Sequence, residues 1–170
     1  TGTGNLVNTG TGTLALSSTH SSSGGTTISG GSLVANTTSL QGDVTDNANL
    51  TFDQAADDTF AGNISGGGSV TKTGAGRLTL SGTNTYSGGT TVSDGSLVGN
   101  TANLQGDVTN NSRVEFDQTS DGSYAGNMSG TGDLVMAGTG STASTVGNMN
   151  DGVYLYQGSL VRTLGTGSLT

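Results

Sequence analysis

The side chains of this chain that could do chemistry are carboxylates, and they fall in two clusters: Asp53, Asp57 and Asp58, then Glu115, Asp117 and Asp121. Two or three carboxylates on one exposed face, about 5–9 Å apart, are the machinery of glycoside hydrolysis. Stacked aspartates also suit calcium, a cation that takes oxygen ligands. The acids recur at a constant interval, however, as Asp43/Asp107, Asp53/Asp117 and Asp57/Asp121. A unique active site breaks a repeat, whereas a solvated face follows it. Neither cluster is read as having an Arg or Lys for an anionic sugar, and aromatic platforms are scarce at 4%. The calcium nonapeptide G-G-x-G-x-D must recur in tandem, and Gly130-Thr131-Gly132-Asp133 is a single imperfect echo of it. The sole histidine, His20, occupies the slot that Asn84 fills one interval later, and no serine stands in a G-x-S-x-G elbow. The sequence therefore predicts no catalytic, cofactor-binding or metal-ligating residue, no cofactor and no enzyme.

Two further chemistries fail on spacing or charge. Flat Thr-x-Thr ladders bind ice only when the pair recurs on every rung, and here Thr71-Lys72-Thr73 and Thr1-Gly2-Thr3 supply it on about one rung in three. Four Lys+Arg against twelve Asp+Glu give a net charge of −8, and Lys72, Arg77, Arg113 and Arg162 are too scattered to track phosphates. Nucleic acid is excluded as a partner. No run approaches the roughly 20 apolar residues of a membrane helix, so membrane insertion by this segment is not expected. The absence of cysteine removes disulfides and thiolate metal sites. The chain opens Thr1-Gly2-Thr3 without Met and reads as a piece of something longer.

The elements that carry these residues follow from the repeat. Thr26-Thr27-Ile28-Ser29-Gly30-Gly31-Ser32-Leu33-Val34 returns as Thr90-Thr91-Val92-Ser93-Asp94-Gly95-Ser96-Leu97-Val98, a shift of 64. Between residues 26–72 and 90–136, 26 of 47 positions are identical, which marks tandem repetition. Copy one spans about 2–65, copy two about 66–129 and a divergent copy three about 130–170, all within one segment. Helix is excluded because glycine, 32 of 170 residues, costs about 1 kcal/mol per helical position relative to alanine. Apolar residues alternate with a period of two at Leu14/Leu16, Leu50/Phe52 and Leu78/Leu80, the pattern of short half-buried strands. An apolar share of 29% is too small for a two-sheet sandwich but sufficient for the narrow axial core of a parallel β-solenoid. One repeat unit divides into three coils, about 28–48, 49–70 and 71–91. Residues one repeat apart are therefore expected to stack in one column: Phe52 on Phe116, Leu33 on Leu97, Leu40 on Leu104.

One stretch carries a resemblance. Gly68-Ser69-Val70-Thr71-Lys72-Thr73-Gly74-Ala75-Gly76-Arg77-Leu78-Thr79-Leu80-Ser81-Gly82-Thr83-Asn84-Thr85-Tyr86-Ser87-Gly88-Gly89-Thr90-Thr91-Val92-Ser93-Asp94-Gly95-Ser96-Leu97 resembles the passenger-associated repeat of bacterial autotransporters, G-x-L-x-K-x-G-x-G-x-L-x-L-x-G-x-N-T-Y-x-G-G-T-x-V-x-x-G-x-L. Val70 replaces the first Leu; copy one has Asn8, His20 and Ser22 where Lys72, Asn84 and Tyr86 stand. The resemblance implies a right-handed parallel β-helix with about three rungs per repeat, displayed on the exposed side of a Gram-negative outer membrane. The residues themselves predict positive φ at the glycine corners, a left-handed or turn-bonded Asn84, and Tyr86 folded over a corner.

The function expected is a structural and adhesive segment, an adhesin stalk that holds binding regions away from the cell, meets host or bacterial surface ligands, or self-associates end to end. The alternative, from another class, is a β-helical polysaccharide hydrolase or lyase using the repeated carboxylates. The N-terminal rung enters in full phase, so an open edge is expected there. Ser141 to Asp151 abandons the repeat and, with Val153-Tyr154-Leu155-Tyr156, is expected to form a partial cap or docking strand.

Overall fold

The computed structural model describes residues 4–19, 24–149, 153–155 and 160–162, and is all-β. Glycine at the corners and β-branched or apolar residues between them confine the chain to short strands. Three parallel sheets wrap one core. The first holds β1 (Leu6–Asn8), β3 (Thr26–Ile28), β5 (Val44–Asp46) and β8 (Ile64–Ser65). The second, nine strands, holds β2 (Thr13–Ala15), β4 (Ser32–Ala35), β6 (Asn49–Asp53), β9 (Ser69–Thr73), β11 (Thr90–Val92), β13 (Val108–Asn110), β15 (Gly122–Gly130), β17 (Thr142–Met149) and β19 (Leu160–Arg162). The third holds β7 (Asp58–Phe60), β10 (Arg77–Leu80), β12 (Ser96–Gly99), β14 (Arg113–Asp117), β16 (Asp133–Ala137) and β18 (Val153–Leu155). Each strand pairs in parallel with the strand one turn above or below, so the fold is the parallel β-solenoid that the repeat predicts.

Along β4, β6, β9, β10, β12, β14 and β16, alternate residues point inward. Leu33, Leu50, Val70, Leu78, Leu97, Val114 and Leu134 are fully buried, and one chain of contacts joins the core from Ile28 to Met136. A core one side chain thick accounts for the low apolar content, since each turn need bury only a handful of side chains. On two turns the segment that follows β4 or β12 leaves the strand conformation. There a single helical turn substitutes, closed by Leu40 N–H to Asn36 O at 2.9 Å and, one repeat on, by Leu104 N–H to Asn100 O at 3.1 Å.

The pitch differs from the expectation. Leu6, Thr26, Val44 and Ile64 stack in one column, so three turns carry the chain from Leu6 only as far as Ile64, whereas one repeat carries it to Val70. Val70, Thr90, Val108 and Met128 repeat those steps in another column. The repeat unit is thus three turns plus the short stretch, Ser65 to Val70, that takes the chain round one more corner. Residues one repeat apart consequently lie on neighbouring faces. Leu14, Leu33, Leu50 and Val70 line the second sheet, whereas Leu78, Leu97, Val114 and Leu134 line the third. The expected stacking of Phe52 on Phe116 and of Leu33 on Leu97 is wrong: both members of each pair point inward, but from different sheets. The strand ladder continues into the divergent third copy, where β17 pairs with both β15 and β19 and β18 pairs with β16.

Candidate functional site

The acids sit at corners, and the corners explain them. Where the chain bends, a backbone N–H loses its ladder carbonyl, and a short side-chain oxygen from the preceding turn can replace it. Asp43 Oδ1 accepts the Asn63 N–H at 2.8 Å, and Asn63 Oδ1 accepts the Thr83 N–H at 2.8 Å. Asp107 Oδ1 accepts the Asn127 N–H at 2.9 Å. Asp57 and Asp121 hold the N–H groups of Arg77 and Ser141, each at 2.8 Å. Every one of these bonds reaches from one turn to the next. Four of the six repeated carboxylates, Asp43, Asp57, Asp107 and Asp121, are therefore fastened, one oxygen each, to the backbone of the following turn.

The acids of each cluster take different partners. Asp53 bonds the Thr73 hydroxyl at 3.3 Å, and Asp58 accepts from the Thr37 hydroxyl at 2.6 Å, which holds the Asp58 carboxyl below its ordinary value. Glu115 corrects the reading that no cation accompanies the acids. It receives Arg77 Nη2 at 3.1 Å and Arg113 Nη2 at 3.4 Å on the outer side of the third sheet. Arg77 spans from β10 to β14 across β12, the strand that carries the buried Val98. His20 and Ser22 lie outside the described residues. Among the described residues, no three of His, Cys, Asp and Glu converge on a point.

The motif residues are structural. Lys72 is fully buried, its Nζ donating to the carbonyls of Thr73 at 2.7 Å, Gly74 at 2.6 Å and Asp94 at 3.2 Å. Burial pushes its pKa down, while the nearby charges of Asp94, Asp53 and Asp57 oppose that shift. The three acceptors saturate the ammonium and tie one turn to the next. Asn84 is not left-handed, since no described residue other than glycine has a positive φ. Instead its Oδ1 accepts the Ile64 N–H at 2.8 Å and its Nδ2 donates to Asn103 O at 2.7 Å, replacing a ladder bond on each side. Tyr86 turns inward, 1% exposed, with its hydroxyl 2.7 Å from Thr90 Oγ1; burial raises its pKa. Gly89 adopts φ +83 at the corner, as the Gly-Gly pair predicts.

Two shallow grooves of about 330 Å³ flank equivalent corners, one at Gly42-Asp43 beside Phe60 and Gly62, the other at Gly106-Asp107 beside Gly89 and Thr91. Each has a single carboxylate, and that carboxylate already holds a backbone N–H. Neither groove offers the acid pair that glycoside hydrolysis needs.

The repeat spacing hides one surface feature. On the outer side of the second sheet Thr51, Thr71, Thr91, Thr109 and Ser129 stand in register on five successive strands. Counting by turns, rather than by the repeat length, would have found this file of hydroxyls. Its flanks are mixed: Asp53 stands beside Thr73, and Asn49 beside Ser69.

No curated protein and no solved structure matches the chain. Residues 6–35, which run from β1 to β4, and residues 70–98, which run from β9 to β12, both match the family model described as Passenger-associated-transport-repeat. The two matched segments begin one repeat unit apart and fold into the same strands on successive faces. This chain therefore carries the passenger-associated transport repeat on a parallel β-solenoid, an architecture consistent with an autotransporter passenger domain and with an extracellular location.

Proposed function

We propose that the chain is a structural and adhesive segment of a surface-displayed bacterial passenger: a stalk that projects binding regions from the exposed side of a Gram-negative outer membrane. The observation that carries this reading is the engagement of the repeat's acids. Asp43, Asp57, Asp107 and Asp121 are acceptors for the backbone one turn on, so the groups that could have been catalytic hold the rod together. Regular corners, a thin core and a hydroxyl-rich, acidic surface suit a rod that meets host or bacterial surface ligands. Pairing of exposed strand edges with another copy would give the end-to-end self-association proposed for it.

Deleting the segment from its displayed parent should shorten the reach of the passenger and reduce adhesion or cell–cell aggregation, read by binding assays and electron microscopy. Turnover assays on bacterial and host polysaccharides should show no cleavage. Cleavage that Asp53→Asn or Asp117→Asn abolishes would overturn the proposal in favour of a hydrolase or lyase.

A further inference from the structure

The internal repeat supplies a control for one buried carboxyl. Asp46 ends β5, fully buried, and its counterpart in the next copy, Asn110, ends β13, equally buried. The backbone around the two is the same. Asp46 O accepts the Gly68 N–H at 2.8 Å, and Asn110 O accepts the Gly132 N–H at 2.9 Å. Asp46 Oδ1 accepts the Ala48 N–H at 3.0 Å, and Asn110 Oδ1 accepts the Ser112 N–H at 3.2 Å. Ser69 N–H reaches Ala48 O at 3.1 Å, as Asp133 N–H reaches Ser112 O at 2.8 Å. Both side chains press on a glycine, Gly68 or Gly132, where a Cβ would collide with them.

The second side-chain atom is what differs. Asn110 Nδ2 donates to the Asp133 carbonyl at 2.8 Å. Asp46 Oδ2, the atom that corresponds to this Nδ2, is buried and without a partner. The carbonyl matching that of Asp133 belongs to Ser69, an acceptor, and an ionised carboxylate has nothing to offer it. A carboxylic acid does. We propose that Asp46 is held as the neutral acid, its Oδ2–H donating to the Ser69 carbonyl in place of the amide of Asn110, and that this bond makes the turn pH-sensitive.

The surroundings favour the neutral form. β3 presents Ile28 beside Asp46, β6 presents Leu50, and β8 leads through Ile64 and Ser65 into the Gly66–Gly68 corner. The charged groups on these elements and on the approach to β5 are the exposed Asp53, at the far end of β6, and the exposed Asp43, which holds the Asn63 N–H. Neither is a cation. Burial raises the Asp46 pKa from its ordinary 3.8, against the lowering effect of the Ala48 and Leu50 amides. A folded value above the unfolded one means that the native state keeps a proton the unfolded chain has lost. Stability then falls as pH rises from about 3.8 to the folded value, and is level above it.

Asp46→Asn should therefore raise the urea midpoint of the full-length chain at pH 7, with the gain shrinking to nothing near pH 3. Asn110→Asp should transplant the same pH dependence to copy two; should it fail to fold at pH 7, acid should restore it. In the parent chain, the infrared band of a protonated carboxyl should be present at pH 5 and absent from Asp46→Asn. A midpoint lowered at pH 7 by Asp46→Asn, a gain independent of pH, or an ionised Asp46 in the spectrum would each overturn the proposal.

Discussion

Copies one and two run through the same strands on different faces, and their interiors are filled differently. The column Asn8, Ile28, Asp46 of the first sheet becomes Lys72, Val92, Asn110 in the second. Asn8 Nδ2 donates to Ser32 O at 3.2 Å where Lys72 Nζ reaches three carbonyls, and Met136 fills the same repeat position a third time, 2% exposed. Phe60 becomes Tyr124. The corners change far less: Gly42-Asp43 and Gly106-Asp107, or Gly66 and Gly130, are retained with their positive-φ glycines. The backbone ladder and its corners thus define the solenoid, and an inward slot accepts amide, ammonium or thioether provided that each polar atom finds a carbonyl or N–H. Because the repeat exceeds three turns by one corner, a feature carried in it reappears on the next face, and no single side of the rod accumulates it.

The largest expected effect tests whether the two faces pack equally. Phe52 and Phe116 are fully buried, with aromatic partners Phe60 and Tyr124 at 5.1 and 5.2 Å. Truncating either to alanine should cost about 3–5 kcal/mol. Phe116→Ala should lie at the upper end, because the Tyr124 hydroxyl is anchored to the Gly106 carbonyl and its ring is less free to collapse into the cavity. Urea denaturation of both variants ranks them, and a larger loss for Phe52→Ala would break the account.

A middle effect concerns the slot that changes chemistry. Lys72→Met installs the residue of the third copy but leaves three carbonyls without their ammonium, a cost of about 1–3 kcal/mol. The sign with pH is distinct. With its folded pKa below 10.5, Lys72 binds fewer protons in the native state than in the unfolded chain over that window, so stability rises with pH up to about 10.5. The Met variant should lack that rise. Denaturation at pH 7 and pH 10 checks both statements, and an alkaline rise that survives the substitution would assign it elsewhere.

The fold was legible in the sequence because glycine spacing, period-two apolar residues and the tandem repeat all exclude helix and point to stacked short strands. The acids were legible as repeat-borne, and four of them do make the same corner bond in both copies. The pitch was not legible. A repeat length reports where the sequence recurs, whereas the pitch is set by which strand pairs with which. Nothing in the residues marks the turn from Thr26 to Val44 as shorter than its neighbours, or three such turns as falling one corner short of a repeat. That one corner misplaced Phe116 relative to Phe52 and concealed the file from Thr51 to Ser129. The pairing of Arg77 with Glu115 escaped for the same reason, since the two are separated by two turns of the third sheet, whereas Arg113 stands two residues from Glu115 on β14 itself. Nor could composition distinguish Asp46, buried with one orphaned oxygen, from the exposed aspartates around it.

The smallest expected effect isolates what the corner acids do. Asp43, on one face, and Asn63, one turn on, make the same bond, each accepting a backbone N–H of the following turn at 2.8 Å. If the oxygen acceptor is all that the corner requires, charge is irrelevant and the amide suffices. Asp43→Asn should then leave stability within a few tenths of a kcal/mol, whereas Asp43→Ala should cost about 0.5–1 kcal/mol, the scale of losing a helix cap, because the Asn63 N–H must turn to water. Asp107 on the next face holds the Asn127 N–H at 2.9 Å, and the same pair of substitutions there should give the same pair of results. Hydrogen exchange at Asn63 and Asn127 reads the bonds directly: faster exchange in the alanine variants and no change in the asparagine variants. Unchanged exchange at Asn63 in Asp43→Ala would show that the carboxylate is not the acceptor, and equally fast exchange in both variants would show that the corner requires the charge as well as the oxygen.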